Sequence, residues 1–368
     1  MKIGIIGTRG IPNQYGGFEQ FTEFIAPALV ERGQEVVVYN SSLHPYKEHY
    51  FKGVQLIQKN DPENRLGTVG QFIYDLNCIR DCKKRNFDII LQLGYTSSSV
   101  WSFLLPKRSI IVTNMDGLEW KRSKYSRSVQ NFLKYAEKWA AINSDQLIAD
   151  SKGIEQYLLE KYHRPSFFIP YGARIFESPN PGSVDSLGLK PYGYNLLIAR
   201  MEPENNIEPI IKGYLRSDCA EPLIIIGNHK NKFGKYLTSN YASDKILFWG
   251  PIYDMNLLNQ IRHFSNLYFH GHSVGGTNPS LLEAMASQCL IIAHQNIFNQ
   301  SILGGDAFYF DSDSDISNIL NKKLEKSNYQ PFILENNRKI EQYYSWERIA
   351  EQILACFEYS LAQGKKRK

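Results

Sequence analysis

Two hydrophobic periods alternate along the first half of the chain. Continuous apolar runs at 2–8 (KIGIIGT), 35–40 (EVVVYN), 87–94 (FDIILQLG), 109–114 (SIIVTN) and 145–151 (DQLIADS) predict strands buried on both faces. Between them lie stretches of helical period. Over 17–33, Phe18, Phe21, Phe24, Ile25 and Leu29 share one face and Gly33 supplies the stop. Over 125–140 the apolar positions are Tyr125, Val129, Phe132, Leu133, Ala136 and Ala140. Strands buried on both faces that alternate with helices predict a parallel sheet covered on each side.

The alternation then breaks and restarts. Residues 177–193 (ESPNPGSVDSLGLKPYG) read as a linker. A second series follows at 194–200, 221–228, 245–251, 266–272, 288–294 and 307–312, again separated by helical segments. It is a second parallel α/β unit and not a sequence repeat. The last segment, 345–364, is an amphipathic helix with Ser345 at its N-cap position. The pattern predicts two Rossmann-like domains facing a cleft, at 1–177 and 178–345, followed by a C-terminal helix and basic tail at 346–368. Ligands of such sheets sit at the carboxyl ends of the strands, so the loops there hold the candidate chemistry.

Composition narrows the class. No apolar run reaches the length of a membrane span, and MKIGII leads straight into glycines without the charged-then-apolar order of a signal peptide. The five cysteines are scattered, with no CxxC spacing and no Cys/His cluster, as expected of a reduced cytoplasmic protein without structural zinc. The net charge of +5 is partly carried by the final GKKRK and by a basic stretch, Lys121, Arg122, Lys124 and Arg127, beside Trp120 and Tyr125. No nucleic-acid motif accompanies it. A phosphorylated substrate or peripheral contact with an anionic membrane surface fits better, and an ordinary solvated face fits as well.

The first loop, GTRGIPNQYGG, invites comparison with a dinucleotide fingerprint and fails it. Pro12 and two further glycines intervene before the helix begins, the spacing is GxxGxxG, and the second strand ends at Tyr39–Asn40 without an acidic residue. Gly16 and Gly17 still bring backbone N–H groups near a ligand at a helix start, with Phe18 and Glu19 in the first turn and Arg9 in the loop. The second unit carries a sharper pattern. In YFHGHSVGGTNPSLLEAMA an apolar strand ends at His270. Gly275, Gly276 and Thr277 follow, then Asn278 as cap and Pro279 as first helical residue, an arrangement suited to an anion. Glu283 lies one turn in. Arg200 ends the strand of LLIARMEPENNIEPII.

These segments resemble the donor-binding half of retaining glycosyltransferases of family 4, which have the GT-B fold. The second of that family's paired glutamates falls on Glu283, which implies a contact with the nucleotide ribose. The first falls on Gly275, a departure from the family. Arg200 matches the phosphate-binding arginine, while Asn205 stands where the family has lysine. Backbone N–H groups of Gly275–Thr277 are then expected to supply part of the missing charge. GTRGIPNQYGGFE, TNMDGLEWKRSKY, ARMEPENNIE and HGHSVGGTNPSLLEAMA together resemble the bacterial rhamnosyltransferase branch that builds capsule and cell-wall polysaccharide. That resemblance implies transfer of L-rhamnose from dTDP-β-L-rhamnose to a polyprenyl-diphosphate-linked GlcNAc or Glc, β-1,4 and with retention. It also implies a C-terminal helix returning to the N-terminal domain. No metal is expected, because cations and helix dipoles can stabilise the departing diphosphate and no DxD pair is placed to bind one, and no cofactor is expected.

Within this frame the carboxylates after the 109–114 strand are the catalytic candidates. Asp116 precedes Gly117 and Glu119 lies three residues on; each either serves an acceptor hydroxyl or caps the next turn. His272 either bonds the donor or is structural. Tyr171 either stacks on a ligand or packs. The acceptor set is Arg9, Gly16, Gly17, Phe18, Glu19 and Tyr171, with Arg9 positioned for a diphosphate. Two alternatives remain open: a GT-B transferase using a UDP- or GDP-sugar, and a non-catalytic nucleotide-sugar-binding partner.

Overall fold

The computed structural model describes residues 1–14, 16–122 and 125–365. Lys124 of the basic stretch and residues 366–368 of the tail lie outside the described residues. The chain divides into two compact units. One comprises Met1–Lys121, Tyr125–Tyr171 and the segment from Trp346; the other contains Gly172–Ser345.

The first unit is built on an eight-stranded sheet: β1 (Lys2–Ile6), β2 (Glu35–Ser41), β3 (Tyr50–Phe51), β4 (Val54–Lys59), β5 (Ile89–Leu93), β6 (Ile110–Asn114), β7 (Gln146–Ala149) and β8 (Ser166–Phe168). Its order is β3-β4-β2-β1-β5-β6-β7-β8, and every pairing except β3–β4 is parallel. The central strands β5 and β6 are buried throughout, which is why they read as continuous apolar runs. The edge strand β3 and its neighbour β4 escape the apolar-run criterion because each includes exposed or half-buried positions.

The second unit carries a six-stranded, wholly parallel sheet: β9 (Asn195–Ile198), β10 (Leu223–Ile226), β11 (Ile246–Trp249), β12 (Tyr268–His270), β13 (Ile291–His294) and β14 (Phe308–Phe310), ordered β11-β10-β9-β12-β13-β14. One core joins Leu197, Ile225, Phe269 and Ile292 of this sheet to Ile210 and Tyr214 of the helix Ile207–Arg216.

The linker reading of 177–193 is corrected. This stretch contains the helix Gly182–Asp185 and buries Val184 and Leu189. Gln260 holds its N-terminal end, accepting from the Asn180 N–H at 2.8 Å and donating to the Ser178 carbonyl at 2.9 Å. Pro and Gly content marked the turns, and the two apolar side chains decide that it packs.

The helix Trp346–Gln363 completes the first unit. Trp346 stacks on Phe24 at 4.5 Å between ring centroids and meets Phe21 edge-on at 6.2 Å. Ile349, Ile353, Cys356 and Phe357 are fully buried along its inner face.

Candidate functional site

In the second unit, β9 and β12 are parallel neighbours, with Leu196 opposite Tyr268 and Leu197 opposite Phe269. Their following loops are stitched together. Ser273 donates its N–H and hydroxyl to the Glu204 carbonyl at 3.1 and 2.8 Å, and Asn206 Nδ2 donates to the Gly271 carbonyl at 2.7 Å. A side chain at Gly271 would strike the Asn205 carbonyl, so the close approach requires glycine there. Asn205 is buried and donates to the Arg200 carbonyl at 2.7 Å, so its amide shapes the turn. The Arg200 side chain is exposed and makes no hydrogen bond or ion pair among the described residues.

The glycine loop comes next. Gly275 has φ +126°, and among the described residues nothing lies within 4 Å of where its Cβ would stand. Gly276 is half-buried and Thr277 buried. Asn278 caps the helix Pro279–Ala286, accepting from the Ser280 N–H at 2.9 Å. Leu281, Leu282 and Met285 enter the core. Glu283 is paired with the fully buried Arg262 at 2.5 Å, and Arg262 also donates to Asn259 at 3.0 Å. Sequence reasoning missed Arg262; a lone arginine in a helix carries no sign of its burial.

His270 and His272 stack with ring centroids 4.5 Å apart. Among the described residues neither ring nitrogen of buried His270 has a hydrogen-bond partner, nor does Nδ1 of His272. Burial and the Arg200 guanidinium push the His272 imidazole down to about 3, and burial beside His272 and His294 holds His270 well below its ordinary value. Both rings are therefore neutral at physiological pH. An unpaired cation, a glycine loop and a capped helix N-terminus on adjacent strand ends together favour a phosphate-bearing ligand.

In the first unit, the loop after β1 is held by the protein itself. Gly7 and Gly10 have φ of +86° and +123°. Asn40 exchanges two hydrogen bonds with the Ile11 backbone, at 3.2 and 2.9 Å, and Tyr74 donates to the Thr8 and Tyr39 carbonyls. Glu19 is buried and accepts from the Arg9 N–H at 2.8 Å and from the Thr8 hydroxyl at 3.1 Å. The Arg9 guanidinium grips Glu63 in a forked pair at 2.7–3.0 Å. Gly16 is the helix N-cap with extended backbone, and Phe18 lies against Gly94.

Tyr171 brings the remaining candidates together. It is buried, edge-on to Phe21 at 5.8 Å, and a Cβ on Gly17 would come within 3.2 Å of its hydroxyl oxygen. Burial and the charges of Asp116, Asp150, Glu19 and Glu119 hold that hydroxyl well above the usual phenol range. Asp116 adopts φ +47°, a sparsely populated conformation for an aspartate, with its N–H on Asn114 Oδ1 at 3.0 Å. Glu119 opens the turn Glu119–Lys121 and is half-buried. Among the described residues no group of three or more His, Cys, Asp or Glu side chains is arranged to hold a metal ion.

A buried hub fixes this turn, and no pattern of residue types marks it in advance. Glu137, 1% exposed, accepts from Tyr157 at 2.7 Å, Tyr162 at 2.6 Å, Lys161 at 3.0 Å, Trp120 at 3.1 Å and Tyr95 at 3.4 Å. Because Trp120 lies in the Glu119–Lys121 turn, the hub anchors the segment that carries Asp116 and Glu119.

Residues 1–174 match the family model of a domain of unknown function, DUF1972. The chain is 23% identical over 303 residues to an uncharacterized glycosyltransferase of Methanocaldococcus jannaschii, covering 75% of this chain and 76% of that protein. A sucrose-phosphate synthase from Thermosynechococcus elongatus superposes with a TM-score of 0.82 at 16% identity, over 99% of this chain and 100% of that one. Anabaena HepE, solved with UDP-glucose, gives 0.75 at 15% identity, over 97% and 99%. The fold is GT-B. Two parallel α/β units and a C-terminal helix belonging to the first are what the sequence led us to expect of GT-B.

Proposed function

We propose that this chain is a glycosyltransferase that moves a sugar from a nucleotide-sugar donor to a lipid-linked acceptor sugar. The observation that carries the reading is the edge formed after β9 and β12, where unpaired Arg200 adjoins the open Gly275 loop and the capped helix start. The glycosyltransferase relative and the UDP-glucose complex of a GT-B neighbour support the donor class. The finer reading is L-rhamnose from dTDP-β-L-rhamnose, added β-1,4 with retention to GlcNAc or Glc on a polyprenyl diphosphate, on the inner face of the plasma membrane. It rests on the sequence motifs.

In this reading Arg200 and the N–H groups of Gly275–Thr277 hold the donor diphosphate and stabilise its growing charge. Glu283, steadied by Arg262, accepts from the ribose hydroxyls. Neutral His272 contributes hydrogen bonds without adding charge. The acceptor hydroxyl oxygen bonds to the anomeric carbon as the bond to phosphate breaks on the same face. Its proton passes to the departing phosphate oxygen, leaving glycoside and nucleoside diphosphate. Asp116 orients the acceptor sugar.

The test is nucleoside diphosphate release from dTDP-, UDP- and GDP-sugars with a synthetic lipid-diphosphate GlcNAc or Glc. Turnover of dTDP-rhamnose alone, lost in Glu283→Ala, supports the full reading. Turnover of another donor overturns the rhamnose assignment. Thermal stabilisation by nucleotide without turnover of any donor indicates a binding partner and not an enzyme.

A further inference from the structure

Three lysines from different positions in the chain converge on one indole ring. The Nζ atoms of Lys134, Lys161 and Lys121 lie 4.9, 5.4 and 5.5 Å from the Trp120 centroid. Cation–π attraction favours each singly, while their mutual repulsion opposes gathering them. The carboxylate beneath, Glu137, pairs with Lys161 and is already engaged by four further donors. Lys121 and Lys134 are exposed and make no ion pair among the described residues. The cluster thus holds excess positive charge on a rigid base, beside the turn that carries Glu119.

Its surroundings are apolar. On the helix Arg127–Asn143, Tyr135, Trp139 and Ile142 follow at i, i+4 and i+7 and are 61, 41 and 54% exposed. Tyr135 and Trp139 have ring centroids 6.5 Å apart, and Lys134 and Lys138 run alongside them. A stripe of exposed aromatic and aliphatic side chains leading away from a cationic cluster matches an amphiphile with an anionic head.

We propose that Trp120 with Lys121, Lys134 and Lys161 binds the diphosphate of a prenyl-diphosphate-linked substrate, with the Tyr135–Trp139–Ile142 stripe receiving the first part of its hydrocarbon chain. This rests on the lipid-linked-acceptor reading above and names where the head group is held. Phosphate-bearing membrane lipids share the chemistry, so the experiment separates the two sources.

Calorimetric titration with geranyl diphosphate, in the absence of any nucleotide sugar, reads the site independently of transfer. The expected result is saturable binding at one site. Lys121→Glu and Lys134→Glu, both at exposed positions, should each weaken it at least about tenfold, the scale of one charge-assisted bond. Lys235→Glu, at an exposed position of the second unit, should leave it unchanged. Trp139→Ser should weaken geranyl diphosphate and leave inorganic pyrophosphate unaffected. Thermal melts confirm that the variants fold. Absent binding to the wild-type chain, equal losses in Lys235→Glu, or unchanged affinity in Lys134→Glu overturns the proposal. So does binding confined to phosphatidylglycerol vesicles. Donor-induced stabilisation measured separately shows whether the transfer reading survives such a failure.

Discussion

Both units place a glycine-rich loop after a parallel strand, and the two loops are used in opposite ways. After β1, the loop is filled from within: Glu19 takes the N–H of Arg9, Asn40 clasps Ile11, and Glu63 occupies the Arg9 guanidinium. After β12, among the described residues nothing approaches the Cβ position of Gly275, while Arg200 and the imidazoles of His270 and His272 keep unused hydrogen-bonding capacity. The same residue type therefore serves shape in one loop and access in the other. What distinguishes them is whether nearby polar side chains have already found partners, since a buried polar group left unpaired costs stability unless a ligand supplies the bond.

Substitutions should separate the loops by the quantity that changes. The largest effect is expected at Asp116: with the acceptor sugar no longer oriented, Asp116→Asn should lower transfer about a hundredfold and leave nucleotide affinity unchanged, as read by turnover and titration. Next, Arg200→Ala should weaken nucleoside diphosphate binding by roughly 10- to 100-fold, equivalent to about 1.5–3 kcal/mol for a bond to a charged group, with the melting temperature scarcely moved. Glu19→Ala should do the reverse. Losing two bonds to a buried carboxylate costs about 1–3 kcal/mol, visible in thermal melts, while nucleotide affinity holds. A Glu19 variant that kept its stability and lost acceptor turnover would instead make the first loop a binding surface.

Smaller effects should appear in pH dependence, with opposite signs in the two units. Burial raises the Asp75 carboxyl to about 7, with Asp61 adding to the shift and the Ser97 hydrogen bond opposing it. Between its ordinary value of 3.8 and 7 the folded chain keeps a proton that the unfolded chain releases. Stability from this group therefore falls as pH rises through that window. His272 stays neutral when folded down to about 3, whereas its ordinary value is 6.5, so its contribution is lost as pH falls from 6.5. Melting curves against pH should flatten on the acid-to-neutral side in Asp75→Asn, and below 6.5 in His272→Gln.

The alternating architecture was legible because buried parallel strands announce themselves: IILQL and IIVTN have no exposed position. The strand Val54–Lys59 was not, since half-buried and exposed polar positions interrupt its apolar ones. Candidate residues next to glycines or at strand ends could be picked out from order alone, as Arg200 and Asp116 were. Glu137, Arg262 and Asp75 could not. Each lies in a helix whose spacing looks ordinary, and its character comes from partners distant in sequence: Tyr157 and Trp120 for Glu137, Glu283 for Arg262, Ser97 for Asp75. Asn205 shows the converse: the sequence singled out its position, and the structure turns its amide inward to the Arg200 carbonyl.

The return of Trp346–Gln363 to the first unit sets an order of events during synthesis. The aromatic face of Phe21 and Phe24 is made within the first 31 residues, yet the indole that covers it emerges only after the whole second unit. At roughly 5–20 residues per second, that face waits tens of seconds on the ribosome. The second unit, whose main stretch Gly172–Ser345 is continuous, can close first. The amino-terminal unit is thus the last to be finished, and a nascent chain halted near Ser345 presents a bare aromatic surface to chaperones.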